Sequence, residues 1–235
     1  MKELLPFYAV LVFLSLTGLL VWWAWRWDRR RSQEREQRAM ERGWSYSRGG
    51  RAGLAYSAQG AQGGDTWVME VWSGGKRSKA RTFWKAPDVC FGGGGVFAGP
   101  KRFLDFFKSP FGRKLFDLGV QLGKQEEPAL ASLSDLLESG VTVDVGDPEF
   151  GASYAVLASD SGQALRLFTA DVRQAILAWG TPPGGKRKRH GTLTVAWTGD
   201  GLLVNWDGNG PYAADDFCAF ADLGLLVLKS ARGGW

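Results

Sequence analysis

Histidine and cysteine are almost absent from this chain of 235 residues. Its single histidine, His190, excludes metal sites that are built from several histidines. Its two cysteines, Cys90 and Cys218, lie far apart and have no C-x-x-C spacing, so neither a zinc-ribbon pattern nor a disulfide scaffold is present. A G-x-S-x-G nucleophile motif is missing as well. The sequence therefore predicts no catalytic residue, no cofactor and no metal.

A large excess of positive charge is also missing once the N-terminal region is set aside. The net charge is +5, and residues 1–42 contribute +3 of it, with eight Lys or Arg against five Asp or Glu. The basic character therefore belongs mostly to one short region rather than to a broad surface for DNA or RNA. No nucleic-acid partner is expected.

One long hydrophobic run is present, near the N-terminus. Leu4 to Trp25 contains no charged residue, and as a helix it would measure about 33 Å, enough to cross a hydrocarbon layer of roughly 30 Å. A cleaved secretory signal is the alternative, but arginines follow the run directly and no A-x-A-like cleavage site is present. Residues 1–27 are therefore predicted to be a single-pass transmembrane anchor. Four tryptophans gather at its end, as they do at membrane interfaces: Trp22, Trp23, Trp25 and Trp27.

The charges on the two sides of this run predict an orientation. Arg26 and Arg29–Arg31 follow the run, whereas Lys2 is the only residue before it that has a positively charged side chain. Positive flanks stay on the cytoplasmic side, so we expect the N-terminus outside the cell (inner) membrane and the soluble domain in the cytoplasm. Residues 28–43 consist mostly of strong helix formers without an apolar stripe, and they predict a charged helical stalk that ends at Gly43.

Segments of strand-like and helical periodicity fill residues 44–235. The clearest strands are Thr192–Thr198 and Leu202–Asp207, on either side of a Gly-Asp-Gly turn, and the longest helix is Ala213–Leu228. This order of elements predicts one α+β domain with a largely antiparallel sheet and packed helices. Further strands are predicted at 66–72, 81–85 and 154–158, and further helices at 101–107, 130–137, 164–168 and 170–179.

Three turns contain residue types that occur in ligand sites. Gly92–Gly95 could cradle a phosphate, but the Gly-Lys-Ser/Thr of a P-loop is missing and a flexible turn is favoured. The carboxylates of Asp144–Glu149 could hold a metal or act as acid and base, but no fourth ligand is evident and a polar turn is favoured. Asp207–Gly210 begins like a calcium loop, and Pro211 breaks that pattern.

Two basic clusters could contact anionic lipid. One follows the hydrophobic run, and the other lies in a predicted loop. For the second cluster, the alternatives to lipid contact are a loop that is simply solvated and a loop that contacts nucleic acid. Arginine and lysine beside a membrane are attracted to phospholipid phosphates. The residues predicted for this lipid or anion contact are Arg29, Arg30, Arg31, Lys186, Arg187, Lys188 and Arg189.

One stretch combines a turn, a strand and a helix cap in a particular order. Asp147–Phe150 forms an Asp-x-x-Phe turn ahead of the strand-like Tyr154–Val156, and Ser159–Asp160 then caps two short helical pieces. Together with Arg42–Trp44 after the anchor, this order resembles a segment of uncharacterised bacterial membrane-anchored proteins. The resemblance covers about a third of the chain. It implies a membrane-associated domain of unknown function and carries over no active-site residue.

Two hypotheses of function follow. The first is a single-pass, membrane-tethered cytoplasmic module without enzymatic activity, which binds a protein partner or the membrane surface. The second is a membrane-anchored hydrolase or transferase that uses carboxylates from the turns at Asp144–Glu149 or Asp200–Asp207. Convergent carboxylates in a deep pocket would favour the enzyme, and an exposed apolar surface with tryptophans would favour the binding module.

Overall fold

The computed structural model describes residues 5–50, 52–75, 80–108, 135–180, 191–208, 210–211 and 213–233, with side chains from residue 13 onward. The helices are α1 (Leu5–Glu41), α2 (Lys101–Lys108), α3 (Pro148–Ser153), α4 (Ser161–Leu167), α5 (Ala170–Gly180) and α6 (Ala214–Ala231). The strands are β1 (Ser45–Arg48), β2 (Leu54–Gln62), β3 (Asp65–Trp72), β4 (Arg81–Ala86), β5 (Gly95–Pro100), β6 (Val141–Val143), β7 (Tyr154–Ala158), β8 (Gly191–Thr198) and β9 (Gly201–Gly208).

The strands form one nine-stranded sheet in the order β1-β2-β3-β4-β9-β8-β5-β7-β6. Every pair of neighbours is antiparallel. Strands that follow one another in the sequence pair as β1–β2, β2–β3, β3–β4 and β8–β9, whereas β5 lies between β8 and β7. The predicted α+β fold with a largely antiparallel sheet and packed helices is confirmed.

The main hydrophobic core lies between one face of the sheet and the helices α4, α5 and α6. In β3, Trp67, Met69 and Val71 are buried and alternate with more exposed residues, because successive side chains of a strand point to opposite faces. A second, smaller cluster packs against the other face, under α2. It consists of Phe97, Leu104, Leu136, Leu157 and Ala196.

Helix α6 approaches the sheet at Gly224. A Cβ atom at this position would lie 2.2 Å from Cδ2 and 2.4 Å from Cγ of Trp84, which is fully buried on β4. Trp84 in turn stacks on Trp67 of β3, with 5.9 Å between the ring centres. The packing of α6 on this aromatic pair therefore requires the missing side chain of glycine.

The second half of α1 packs along β1 and against α6 instead of standing free of the domain. Ser32, Arg35 and Ala39 are buried in this contact. The guanidinium group of Arg35 lies 4.4 Å from the ring centre of Tyr56, and its Nε donates a hydrogen bond of 3.3 Å to the hydroxyl of Tyr46. Three ion pairs surround the contact: Arg38 with Asp215 at 3.9 Å, Arg42 with Asp222 at 2.6 Å, and Arg48 with Asp28.

Gly43 ends this helix, as the sequence predicts. Its φ of 72° lies in the left-handed region, where a residue with a side chain is strained. The amide of Gly43 donates to the carbonyl of Met40, and the amide of Trp44 donates to the carbonyl of Ala39. This is the Schellman arrangement, and it turns the chain from α1 directly into β1.

The predicted transmembrane anchor is not found among the residues that are described. No helix in that part of the chain is both long enough and apolar enough to cross a membrane. On this finding the prediction of a single-pass transmembrane protein is wrong.

Several elements escape the sequence analysis. Strand β5 begins at Gly95, at the end of the glycine run, and the run therefore leads into a strand rather than into a helix. Helix α3 begins at Pro148, inside the polar turn predicted at Asp144–Glu149. The edge strands β1 and β6 have only four and three residues, too few to produce a clear alternating pattern. Most of the helix predicted at 130–137 lies outside the described residues.

Replacing Gly224 with alanine is expected to destabilise the domain. The added methyl group would overlap the ring of Trp84, and overpacking of a filled core costs about 1–3 kcal/mol of unfolding free energy. Urea unfolding of the wild-type and variant proteins measures this loss. Gly151→Ala is the matched control, because a Cβ atom there would meet no atom within 4 Å and should leave stability equal or slightly higher. Equal midpoints for the two variants would contradict the proposed close packing.

Replacing Arg35 with alanine is expected to loosen α1 from the domain. The change removes the stacking on Tyr56 and the hydrogen bond to Tyr46 at a site that is only 4% exposed, at a cost of about 1–3 kcal/mol. Hydrogen exchange of the amides in residues 32–41 should accelerate accordingly. Arg38→Ala serves as the control, since its ion pair with Asp215 is exposed and should contribute little. Similar exchange in both variants would refute the assigned role of Arg35.

Candidate functional site

The first half of α1 carries most of the exposed apolar surface of the described residues. Ten of the fifteen large hydrophobic side chains that are exposed lie between Phe13 and Trp27, with exposed fractions of 49–68%. Soluble proteins rarely leave so many large apolar side chains in one continuous patch without a binding partner. This segment is therefore the strongest candidate for an interaction site.

Tryptophan and arginine side chains form pairs at the end of this segment. Arg26 lies over the ring of Trp22 at 5.1 Å, Arg29 over Trp25 at 5.3 Å, and Arg31 over Trp27 at 4.0 Å. Each pair spans four residues, which brings both side chains to the same side of a helix. We call this group, with the neighbouring Trp23 and Arg30, the Trp–Arg collar. The signal for these pairs in the sequence is the repeated W-x-x-x-R spacing.

The collar encircles the helix in a narrow band. At about 100° per residue, Trp25 and Trp27 lie roughly 300° and 140° around the axis from Trp22, and the three rings fall within about 8 Å along it. Indole rings combine an apolar body with a polar N–H group, and guanidinium groups bind phosphate through paired hydrogen bonds. A band of this composition matches the boundary between the apolar and the charged parts of a lipid surface.

The docked half of α1 fixes the direction in which the collar projects. No glycine or proline interrupts the helix between Trp22 and Glu41. Arg35, which holds the helix on the domain, follows Trp27 by eight residues, or about 12 Å along the axis. The collar is therefore rigidly connected to the sheet. The second predicted basic cluster, Lys186–Arg189, lies outside the described residues.

The carboxylates of the Asp144–Glu149 turn have structural partners. Asp147 caps α3 by accepting a hydrogen bond of 3.0 Å from the amide of Phe150, and it also accepts one of 3.1 Å from Nε of Arg173. The amide hydrogen bond and then the Arg173 side chain hold the pKa of the Asp147 carboxyl below its usual value. A general acid near neutral pH needs the opposite shift. Asp144 accepts a hydrogen bond from the amide of Gly146.

A cavity of about 490 Å³ lies beside this turn and also contacts Lys101 and Tyr154. Burial raises the pKa of the Tyr154 phenol to about 12, so this side chain is neutral and can donate a hydrogen bond but cannot serve as a base. Asp144 and Asp147 both line this cavity, but the partners of Asp147 keep its side chain a carboxylate and not a general acid. Among the described residues, no group of three or more His, Cys, Asp or Glu could hold a metal.

The glycine run and the other carboxylate turn are likewise part of the framework. The amide of Gly95 donates to Oγ of Ser159 at 3.0 Å, so this N–H group is not available to a phosphate. Asp207 lies 4.0 Å from Nε of Arg81 on the neighbouring strand. Neither turn has the strand–turn–helix geometry or the ligand set that its predicted function needs.

The two cysteines are free and have different surroundings. Cys90 is exposed, and its thiol donates to the carbonyl of Pro87 at 3.3 Å. Cys218 lies buried on α6, where burial raises the pKa of its thiol. Reactive cysteines have a lowered pKa, and Cys218 therefore packs as a small apolar side chain.

Comparison with known proteins finds one distant likeness of shape. No model of a known protein family matches this chain, and no curated protein sequence matches it either. The chain is similar to the crystal structure of the mycobacterial trehalose monomycolate transport factor A, TtfA, at 10% sequence identity and a TM-score of 0.42. The alignment covers 87% of this chain and 96% of TtfA. A likeness at this score supports no conclusion about function.

Proposed function

We propose that the protein is a non-enzymatic binding module that attaches to an anionic lipid surface through the first half of α1. The observation that carries this proposal is the Trp–Arg collar next to a continuous exposed apolar segment. In this arrangement the apolar side chains from Phe13 onward contact the acyl region, and the indole rings lie at the headgroup level. Arg29, Arg30 and Arg31 then face lipid phosphates.

The charge of the collar favours one side of the membrane. Anionic lipids are concentrated in the cytoplasmic leaflet, and each Lys or Arg near that surface contributes about 1 kcal/mol of attraction. A module with this collar therefore belongs at the cytoplasmic face, with the α+β domain held at a fixed angle above it. The enzyme hypothesis has no comparable support, because Asp147 and Asp144 form hydrogen bonds with backbone amides of their own turn.

Reversing the charge of the collar is expected to weaken lipid binding. The triple variant Arg29→Glu, Arg30→Glu, Arg31→Glu removes about 3 kcal/mol of attraction, which is a loss of affinity of about a hundredfold or more for anionic vesicles. Co-sedimentation of the full chain with vesicles of phosphatidylcholine containing 30% phosphatidylglycerol, at about 0.1 M salt, measures this loss. Vesicles of phosphatidylcholine alone should bind more weakly, and high salt should reduce the difference.

A matched control carries the same total change of charge elsewhere. Lys101, Arg102 and Lys229 are exposed and lie outside α1, so their replacement by glutamate should alter vesicle binding much less. An equal loss in both triple variants, or equal binding to neutral and anionic vesicles, would refute the lipid proposal. The exposed segment would then be left for a protein partner. A third variant with Lys186–Arg189 reversed tests whether the second predicted basic cluster contributes.

A further inference from the structure

The first four strands bring two of their connections to the same end of the sheet. Strand β1 runs antiparallel to β2 and ends where β2 starts. Leu54 at the start of β2 pairs with Trp72 at the end of β3, and Trp72 pairs with Arg81 at the start of β4. The β1–β2 and β3–β4 connections therefore lie side by side. We call this part of the molecule, residues 48–54 and 72–81, the proximal end of the sheet.

Two contacts hold the proximal end beside the Trp–Arg collar. Arg48 forms an ion pair with Asp28, which lies within the collar segment of α1. The amide and the hydroxyl group of Ser73 both donate to the carbonyl of Gly53, at 2.8 Å and 2.9 Å, and so fasten the β3–β4 connection to the β1–β2 connection. Along the axis of α1, the proximal end is therefore level with the last turns of the collar.

The sequence of the proximal end is strongly basic. It contains six Arg or Lys and no Asp or Glu. Asp28 and Asp207 lie next to it and balance Arg48 and Arg81, so the surplus of positive charge comes from the other four basic residues. These four lie outside the described residues, but each is at most two residues along the chain from a described one, which limits the separation to about 7 Å. They are Arg51, Lys76, Arg77 and Lys79.

Acidic side chains lie at the opposite end of the same part of the sheet. Asp65 begins β3, Asp88 follows β4 by two residues, and Asp200 lies in the turn between β8 and β9. Asp88 and Asp200 are exposed, whereas Asp65 is buried and paired with Arg232. The charge of the sheet is therefore polarised along its strands, with the basic end next to the collar.

We infer that the proximal end is a second contact with the anionic phospholipid surface to which the collar attaches. This inference rests on the proposed function, because the collar has to lie at the headgroups before the proximal end can reach them. The attraction between basic residues and anionic lipid acts over about 10 Å at 0.1 M salt, and the pairing of Arg48 with Asp28 brings the proximal end within that range of the collar. Two points of contact fix the orientation of the sheet, with its acidic end away from the lipid.

Fluorescent labels at the two ends of the sheet test this orientation. Ser73→Cys places a label at the proximal end and Gly199→Cys places one at the opposite end, where a side chain meets no atom within 4 Å. Both variants of the full chain carry Cys90→Ser, because Cys90 is exposed and would also react. On anionic vesicles that contain a lipid with a spin-labelled headgroup, we expect quenching of the label at residue 73 and not of the label at residue 199. Equal quenching of both labels, or of neither, in bound protein would overturn the inference.

Removal of charge from the β3–β4 connection tests the attraction itself. The triple variant Lys76→Gln, Arg77→Gln, Lys79→Gln is expected to bind vesicles of phosphatidylcholine and phosphatidylglycerol at least about tenfold more weakly than the wild-type chain. Co-sedimentation measures the loss, and high salt should reduce it.

The same change of charge outside the proximal end provides the control. Lys101→Gln, Arg102→Gln, Lys229→Gln alters three exposed residues and should leave binding close to that of the wild type. If only the collar variant loses binding, the second contact is refuted and the attachment through the collar stands. If the wild-type chain binds neutral and anionic vesicles equally, both fail.

Discussion

The packing of Arg35 against Tyr46 and Tyr56 is the contact on which the arrangement of the molecule depends. A buried guanidinium group is stable only when aromatic faces and hydrogen-bond acceptors replace the water that it loses. Tyr46 and Tyr56 provide these on β1 and β2, and Phe217 of α6 packs against both tyrosine rings. A helix that would otherwise be a separate rod thus becomes part of the domain, and the exposed half of α1 acquires a defined direction.

The sequence predicts those parts of the fold in which local pattern and tertiary environment agree. The β8–β9 hairpin alternates cleanly and has a glycine turn, and Asp160 caps α4 by accepting hydrogen bonds from two amides. Both features depend on residues that are close in the chain. Strand β5 is different, because its glycines and small residues are held by β7 and β8, which come from distant parts of the sequence. No local pattern can predict such a strand.

The docking of α1 was missed for a related reason. Ser32, Arg35 and Ala39 have the i, i+3, i+7 spacing of a buried helix face, but two of them are polar and the third is small. A search for an apolar stripe therefore finds nothing, although the spacing itself contains the signal. The hydrophobic run has the reverse effect. Its length predicts a transmembrane helix, which the described residues do not support.

For the candidate sites too, the residue types suggest one role and the contacts in the structure show another. Carboxylates in turns suggested acid–base chemistry, but the structure uses Asp147 to begin a helix and to hold Arg173. The tryptophan–arginine pairs have a signal in the sequence, the repeated W-x-x-x-R spacing, but only the distances between the side chains show that the rings and guanidinium groups are in contact. Residue type alone could identify the collar as aromatic and basic, whereas only the structure relates it to the sheet.

The packing of α1 along β1 also bears on how the sheet is protected. Strand β1 is an outer strand of the sheet, and outer strands offer unpaired amides and carbonyls to neighbouring molecules. If α1 were cut away to improve solubility, Tyr46, Tyr56 and the flank of β1 would lose their cover. Such a truncated protein would expose aromatic rings beside an outer strand and would be prone to aggregate, although the removed segment looks dispensable.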